Sequence, residues 1–108
     1  MIYTVQEIQS RVMPVAQKYG IKAVFLFGSY AKGTATEDSD IDLLIDTSGT
    51  ALRSLLSLGA LYNDLEAVLE KKIDLITIRS LEQRTQMPSE AAFREAVMKE
   101  RVQLYDVA

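Results

Sequence analysis

Residues 21–46 read IKAVFLFGSYAKGTATEDSDIDLLID, and the fold turns on how this stretch is parsed. Residues 21–27 form a near-continuous apolar run, suited to a central strand covered on both faces. Gly28 breaks the run; a short helical turn is expected over 29–32, then a polar loop over 33–39. Residues 40–46 alternate. Ile41, Leu43 and Ile45 fall on one side of an extended chain, while Asp40, Asp42, Leu44 and Asp46 fall on the other. Aspartate is a poor strand former, and two like charges on one face repel. Such a pair just after a glycine-serine turn needs a physical reason.

The flanking segments alternate helix and strand. Thr4-Val5-Gln6-Glu7 has the form of a capping box, followed by apolar Ile8, Val12, Val15, Ala16 and Tyr19, and Gly20 ends the pattern. Pro14 lies inside this helix and is expected to kink it or end it early. A long helix is expected over 50–70, with Leu52, Leu55, Leu56, Leu58, Leu61, Leu65, Val68 and Leu69 as its apolar stripe. Lys71 and Lys72 then sit well at its C-terminal end. Residues 73–78 read as a third strand that Asp74 interrupts. A last helix over 89–101 and an extended segment over 102–105 follow. The expected architecture is α/β, a sandwich built on a small mixed β-sheet flanked by helices, in one domain spanning 1–108.

Composition narrows the chemistry. Hydrophobic residues make up 48% of the 108 and charged residues 25%, ordinary values for a globular chain. No apolar run approaches a membrane span and no signal-like segment opens the chain, so a cytoplasmic location is the default expectation. The net charge of −3 provides no broad basic footprint, which makes nucleic acid a poor direct target. Cysteine and histidine are both absent. That excludes disulfides, thiolate nucleophiles, sulfur-rich zinc sites and the usual general base. Catalysis must run on carboxylates, hydroxyls, lysine, arginine and backbone amides, and any metal should be a hard, oxygen-loving ion such as magnesium.

Against that background Asp40 and Asp42 can be weighed. On a half-exposed strand they could simply face water. Three features point elsewhere. Residues two apart share a strand face, about 7 Å from one another, so their carboxylates can converge on one ion. Asp74 lies in a similar apolar setting, between Ile73 and Leu75. Gly28-Ser29 closes a buried strand, where a turn can aim free N–H groups at an anion. Clustered carboxylates raise one another's pKa values unless a cation neutralises them. Three aspartates holding magnesium, beside a turn that grips phosphate, suit transfer from a nucleoside triphosphate. Gly28 admits phosphate oxygens without a Cβ clash, the Ser29 hydroxyl donates one more hydrogen bond, and Gly33 permits the tight return of the loop. Lys32 either compensates charge there or is solvated. A Walker-type loop is excluded: Thr34 stands where that signature requires lysine. Tyr30 packs under the loop or stacks on a base. Glu37 and Asp38 read as solvated charges. Nothing singles out one of Arg53, Arg79, Arg84, Arg94 and Arg101 as a contact.

Gly28-Ser29, Gly33, Ser39-Asp40-Ile41-Asp42-Leu43 and Ile73-Asp74-Leu75 resemble the signature of the DNA polymerase beta-like nucleotidyltransferase superfamily. Over residues 24–105 the chain is similar to a minimal nucleotidyltransferase (MNT) domain, the type paired as antitoxin with HEPN-domain toxins. The resemblance implies adenylyl transfer from ATP with magnesium, pyrophosphate release, and a tyrosine of the partner toxin as acceptor. It implies Asp40, Asp42 and Asp74 as metal ligands, with Asp74 also helping to deprotonate the acceptor, and Gly28 and Ser29 on the triphosphate. Lys32 departs from the arginine frequent in the motif, keeping the charge without the two-pronged phosphate contact. About 60 residues carry the site and the rest covers the sheet, so a partner protein is expected to complete the acceptor pocket. The other readings are a module that neutralises its partner by contact alone, or transfer to a small-molecule or nucleic-acid acceptor. A homo-oligomer is compatible with all of them.

Overall fold

The computed structural model of the chain describes residues 2–50, 52, 54–83 and 88–107, and of Leu55 the backbone only. Its elements run α1 (Val5–Tyr19), β1 (Ala23–Phe27), α2 (Gly28–Lys32), β2 (Ile41–Asp46), α3 (Leu55–Leu69), β3 (Ile73–Thr77), α4 (Ile78–Glu82), α5 (Pro88–Glu100) and β4 (Val102–Asp106). The four strands form one mixed sheet in the order β3-β2-β1-β4. β1 pairs antiparallel with β2 and β4, and β2 pairs parallel with β3. The parallel pair needs a crossover, which α3 supplies.

Local chemistry accounts for most element ends. Thr4 Oγ1 accepts from the Glu7 amide while Glu7 Oε1 accepts from the Thr4 amide, the reciprocal capping box expected there. Gly20, at φ 65, ends α1; its amide donates to Gln17 O and the Ile21 amide donates to Ala16 O, a Schellman ending. Pro14 does not end the helix early: α1 continues through it to Tyr19, with the ring on an exposed face.

Several boundaries differ from expectation. The long helix begins at Leu55, not at residue 50, because Ser54 caps it by accepting from the Ser57 amide, while Thr50 belongs to a turn closed onto Thr47 O. Leu52 is buried but precedes the helix, and Leu56 is 87% exposed, off the apolar stripe. The third strand stops at Thr77, whose side chain accepts from the Ser80 amide and starts α4, a short helix absent from the sequence reading. Residue 101 follows α5 rather than closing it.

The sheet separates two apolar layers. Val24, Leu26, Ile41, Leu43, Ile45 and Ile73 pack with Ile8, Val12, Val15 and Ala16 of α1 and Leu61, Leu65 and Leu69 of α3. Each fully buried leucine here contributes about 1.5–3 kcal/mol. On the other face Phe27 and Leu44 meet Leu81 of α4 and Val97 of α5, with Phe25, Ile76 and Ile78 packed beside them. The alternation along β2 is therefore real: its odd-numbered residues serve the larger layer and Leu44 the smaller. Among the described residues no helix is long and apolar enough to cross a membrane.

Candidate active site

The carboxylates come together through strand register. β2 and β3 run parallel with Asp42 opposite Asp74, and residues opposite one another in a sheet share a face. Both project on the side of the smaller layer, the parity of Leu44 and Ile76. Phe27, the last residue of β1, is the partner of Asp42 on the other side, so the chain turns into α2 directly beside the aspartates.

Gly28 makes this junction. Its φ is +72, in the region that favours glycine, and a Cβ there would collide with the Asp42 carboxylate. The space freed by the missing side chain is thus taken by Asp42. Among the described residues no side chain caps the start of α2, and the first backbone N–H groups of a helix have no partner within it. The half-buried Ser29 lends its carbonyl to the amides of Gly33 and Thr34, and its hydroxyl makes no hydrogen bond among the described residues. Gly33, at φ 77, closes the helix and releases the loop.

Electrostatics single out Asp42. Burial first, then the charge and hydrogen bonding of Asp74, then the charge of Asp40, push its carboxyl from 3.8 up to about 6. Asp74 is thus the near neighbour of Asp42 across the strand pair, whereas Asp40, one residue before β2, acts on Asp42 through its charge. Among the described residues no three Asp, Glu, His or Cys side chains stand close enough together to form a ready metal cluster. The donor set nonetheless suits a hard divalent ion. It is all oxygen, and one carboxylate carries uncompensated negative charge that a cation would neutralise.

A cavity of about 260 Å³ opens on the pair. Asp42, Asp74, Gly28 and Lys32 line one part; Phe27, Ile76, Phe93, Ala96, Val97 and Glu100 line the rest. Lys32 does not stand free in it, since its Nζ lies 3.3 Å from Glu100 Oε2. The α5 wall went unread in the sequence, although the spacing of Phe93, Val97 and Glu100 marks one helix face. A larger cleft of about 510 Å³ lies at the far ends of β2 and β3, between Asp46, Thr77 and Arg79, and holds none of the predicted site residues. Tyr30 is buried in the larger core, so packing is its place. Glu37 and Asp38 are exposed. Arg101 stacks over Phe25 at 4.3 Å; Arg53 and Arg84 lie outside the described residues.

Comparison with known proteins identifies the family and the fold. A family model described as a nucleotidyltransferase domain matches residues 14–104. The chain is 39% identical over 77 residues to a candidate protein adenylyltransferase of Methanocaldococcus jannaschii, covering 71% of this chain and 81% of that one. It is 37% identical over 82 residues to the protein adenylyltransferase MntA of Thermococcus cleftensis, covering 72% and 81%. Two solved structures share the fold. One is a toxin–antitoxin complex with AMP-PNP, at TM-score 0.69 and 21% identity over 92% of this chain and 73% of that one. The other is a tri-AMPylated HEPN toxin of Shewanella oneidensis with its MNT antitoxin, at TM-score 0.64 and 18% identity over 96% and 74%.

Proposed function

This chain belongs to the nucleotidyltransferase domain family, and from that premise we propose that it moves AMP from ATP onto a tyrosine hydroxyl of a partner HEPN-domain toxin, acting as the antitoxin of the pair. The observation that carries the reading is the opposition of Asp42 and Asp74 on β2 and β3, with Gly28 alongside. In the transfer the acceptor oxygen bonds to the α-phosphorus of ATP. The bond from that phosphorus to the bridging oxygen breaks, and pyrophosphate leaves with the electron pair. Asp74, exposed at the edge of the sheet, takes the acceptor's proton.

Asp40, Asp42 and Asp74 would hold magnesium, which when bound neutralises triphosphate charge and lowers the pKa of an attacking hydroxyl. The amides at Gly28 and Ser29 and the untied Ser29 hydroxyl bind the triphosphate. Lys32 adds charge once it leaves Glu100. The cavity beside the aspartates is small, at about 260 Å³, below the usual range of ligand pockets. That size favours an acceptor held mainly by its own protein. The relatives named as adenylyltransferases and the complexes with AMP-PNP and with an AMPylated toxin support the same reading.

The test is to incubate the chain and its co-purified HEPN partner with ATP labelled at the α-phosphate, with and without magnesium. Magnesium-dependent label on a tyrosine of the partner is expected. Label appearing on aminoglycosides or RNA, and none on protein, would overturn the reading.

A further inference from the structure

Asp40 is the member of the acidic trio that no strand holds: it sits between the 33–39 loop and β2. Its own side chain has no hydrogen bond or ion pair among the described residues. Something else must place it. Lys71, in the short link between α3 and β3, reaches to the neighbouring segment before β2 to do so. Its Nζ donates to Glu37 O at 2.7 Å and to Ser39 O at 3.3 Å. The same ammonium lies 5.9 Å from the ring centroid of Tyr30, which is 4% exposed and fixed in the core.

The segment Lys71 grips is already stiff. The Thr36 amide donates to Ser39 Oγ at 2.8 Å and the Ser39 amide donates to Thr36 O at 3.1 Å, closing residues 36–39 into a turn. On the far side of Asp40, the Ile41 amide donates to Lys72 O at 3.1 Å. Asp40 is thus bracketed by two ties to consecutive residues, 71 and 72, that lead into the strand bearing Asp74. A lysine suits the first tie: three donors on a long, flexible stem can serve two carbonyls at once. No ion pair involving Lys71 is found among the described residues, so its charge faces carbonyl dipoles and an aromatic ring.

We propose that Lys71 is a positioning residue that clamps the 36–39 turn to the base of β3 and thereby sets Asp40 against Asp42 and Asp74. This rests on the metal-holding reading of the three aspartates, and the experiment separates the two. Binding of Mn²⁺ alone is followed by electron paramagnetic resonance for the parent chain, Lys71→Met and Lys71→Arg. Amide exchange at Ser39 and Ile41 is measured on the same proteins without metal. Lys71→Met is expected to weaken Mn²⁺ binding roughly tenfold and to speed exchange at Ser39 by a similar factor. Lys71→Arg, which keeps donors and charge, restores most of both, and Lys71→Leu, which also lacks a donor, serves as the second loss variant should the methionine variant misfold. Parent-like Mn²⁺ binding by Lys71→Met overturns the positioning role and leaves the site reading standing. A parent chain that binds no Mn²⁺ overturns the site reading and this role with it.

Discussion

Asp42 is a carboxylate placed against its own electrostatic interest. Burial and the neighbouring Asp74 push its carboxyl to about 6 in the folded chain, against an ordinary 3.8. Folding therefore favours the protonated form. The stability this contributes is complete below about pH 4 and is lost as pH rises through 6. Asp42→Asn removes the dependence. In the metal-free protein at pH 7.5 the variant should be more stable by about 1 kcal/mol, a figure that allows for solvent screening of a half-exposed group. Melting in chelator at pH 4 and pH 7.5 checks this, with the gain expected at the higher pH only. A gain equal at both would show that charge is not its source. The same variant should lose AMP transfer at least about a hundredfold, since the substituted amide has no charge to neutralise a cation. If it still protected cells from the partner as well as the parent does, contact rather than chemistry would be the antitoxic mechanism.

Among the elements, the strain sits at the end of α3. Among the described residues, three helices start on side-chain caps, at Thr4, Ser54 and Thr77, each worth about 1 kcal/mol. α1 ends on a glycine, but α3 ends on Glu70 at φ 52, the one non-glycine residue with positive φ among those described. A left-handed conformation costs an ordinary residue roughly 1–2 kcal/mol, and glycine adopts it freely. The Glu70 carboxylate gives little back: its pair with Arg11 is 3.7 Å long and exposed. Glu70→Gly should stabilise the fold by about 0.5–1 kcal/mol in urea unfolding, with an unchanged denaturant slope. A loss of stability would mean that the surface pair outweighs the backbone strain.

For the molecule as a whole, the two faces of the sheet are unequally anchored. α1 buries Ile8, Val12, Val15 and Ala16, and α3 buries Leu61, Leu65 and Leu69, whereas α5 buries Val97. Phe93 adds an edge-on contact to Phe27, centroids 6.2 Å apart. Local opening follows buried apolar contact, so amides in the middle of α5 should exchange through smaller openings than those of α1 and α3. Native-state exchange across a urea series would read this, and equal protection of all three helices would contradict it. Since α5 forms one wall of the cavity beside the aspartates, the more readily opened side of the molecule would be the side of the proposed site.

Much of this was open to reading along the chain. The capping box and Gly20 bound α1, the alternation of β2 sorts its residues between two layers, and the lack of histidine and cysteine leaves oxygen chemistry. These depend on neighbours within a few positions, where covalent geometry and side-chain type decide the outcome. The start of α3 was harder, because Thr50 and Ser54 are both cap-forming residues and choosing between them took the turn closed onto Thr47. No local rule sets the register that lays Asp74 beside Asp42, the use of the Gly28 vacancy by a carboxylate, the engagement of Lys32 by Glu100 or the reach of Lys71 to the 36–39 turn. Each joins residues far apart in the chain, so each exists only once a crossover helix has packed and put two strands side by side.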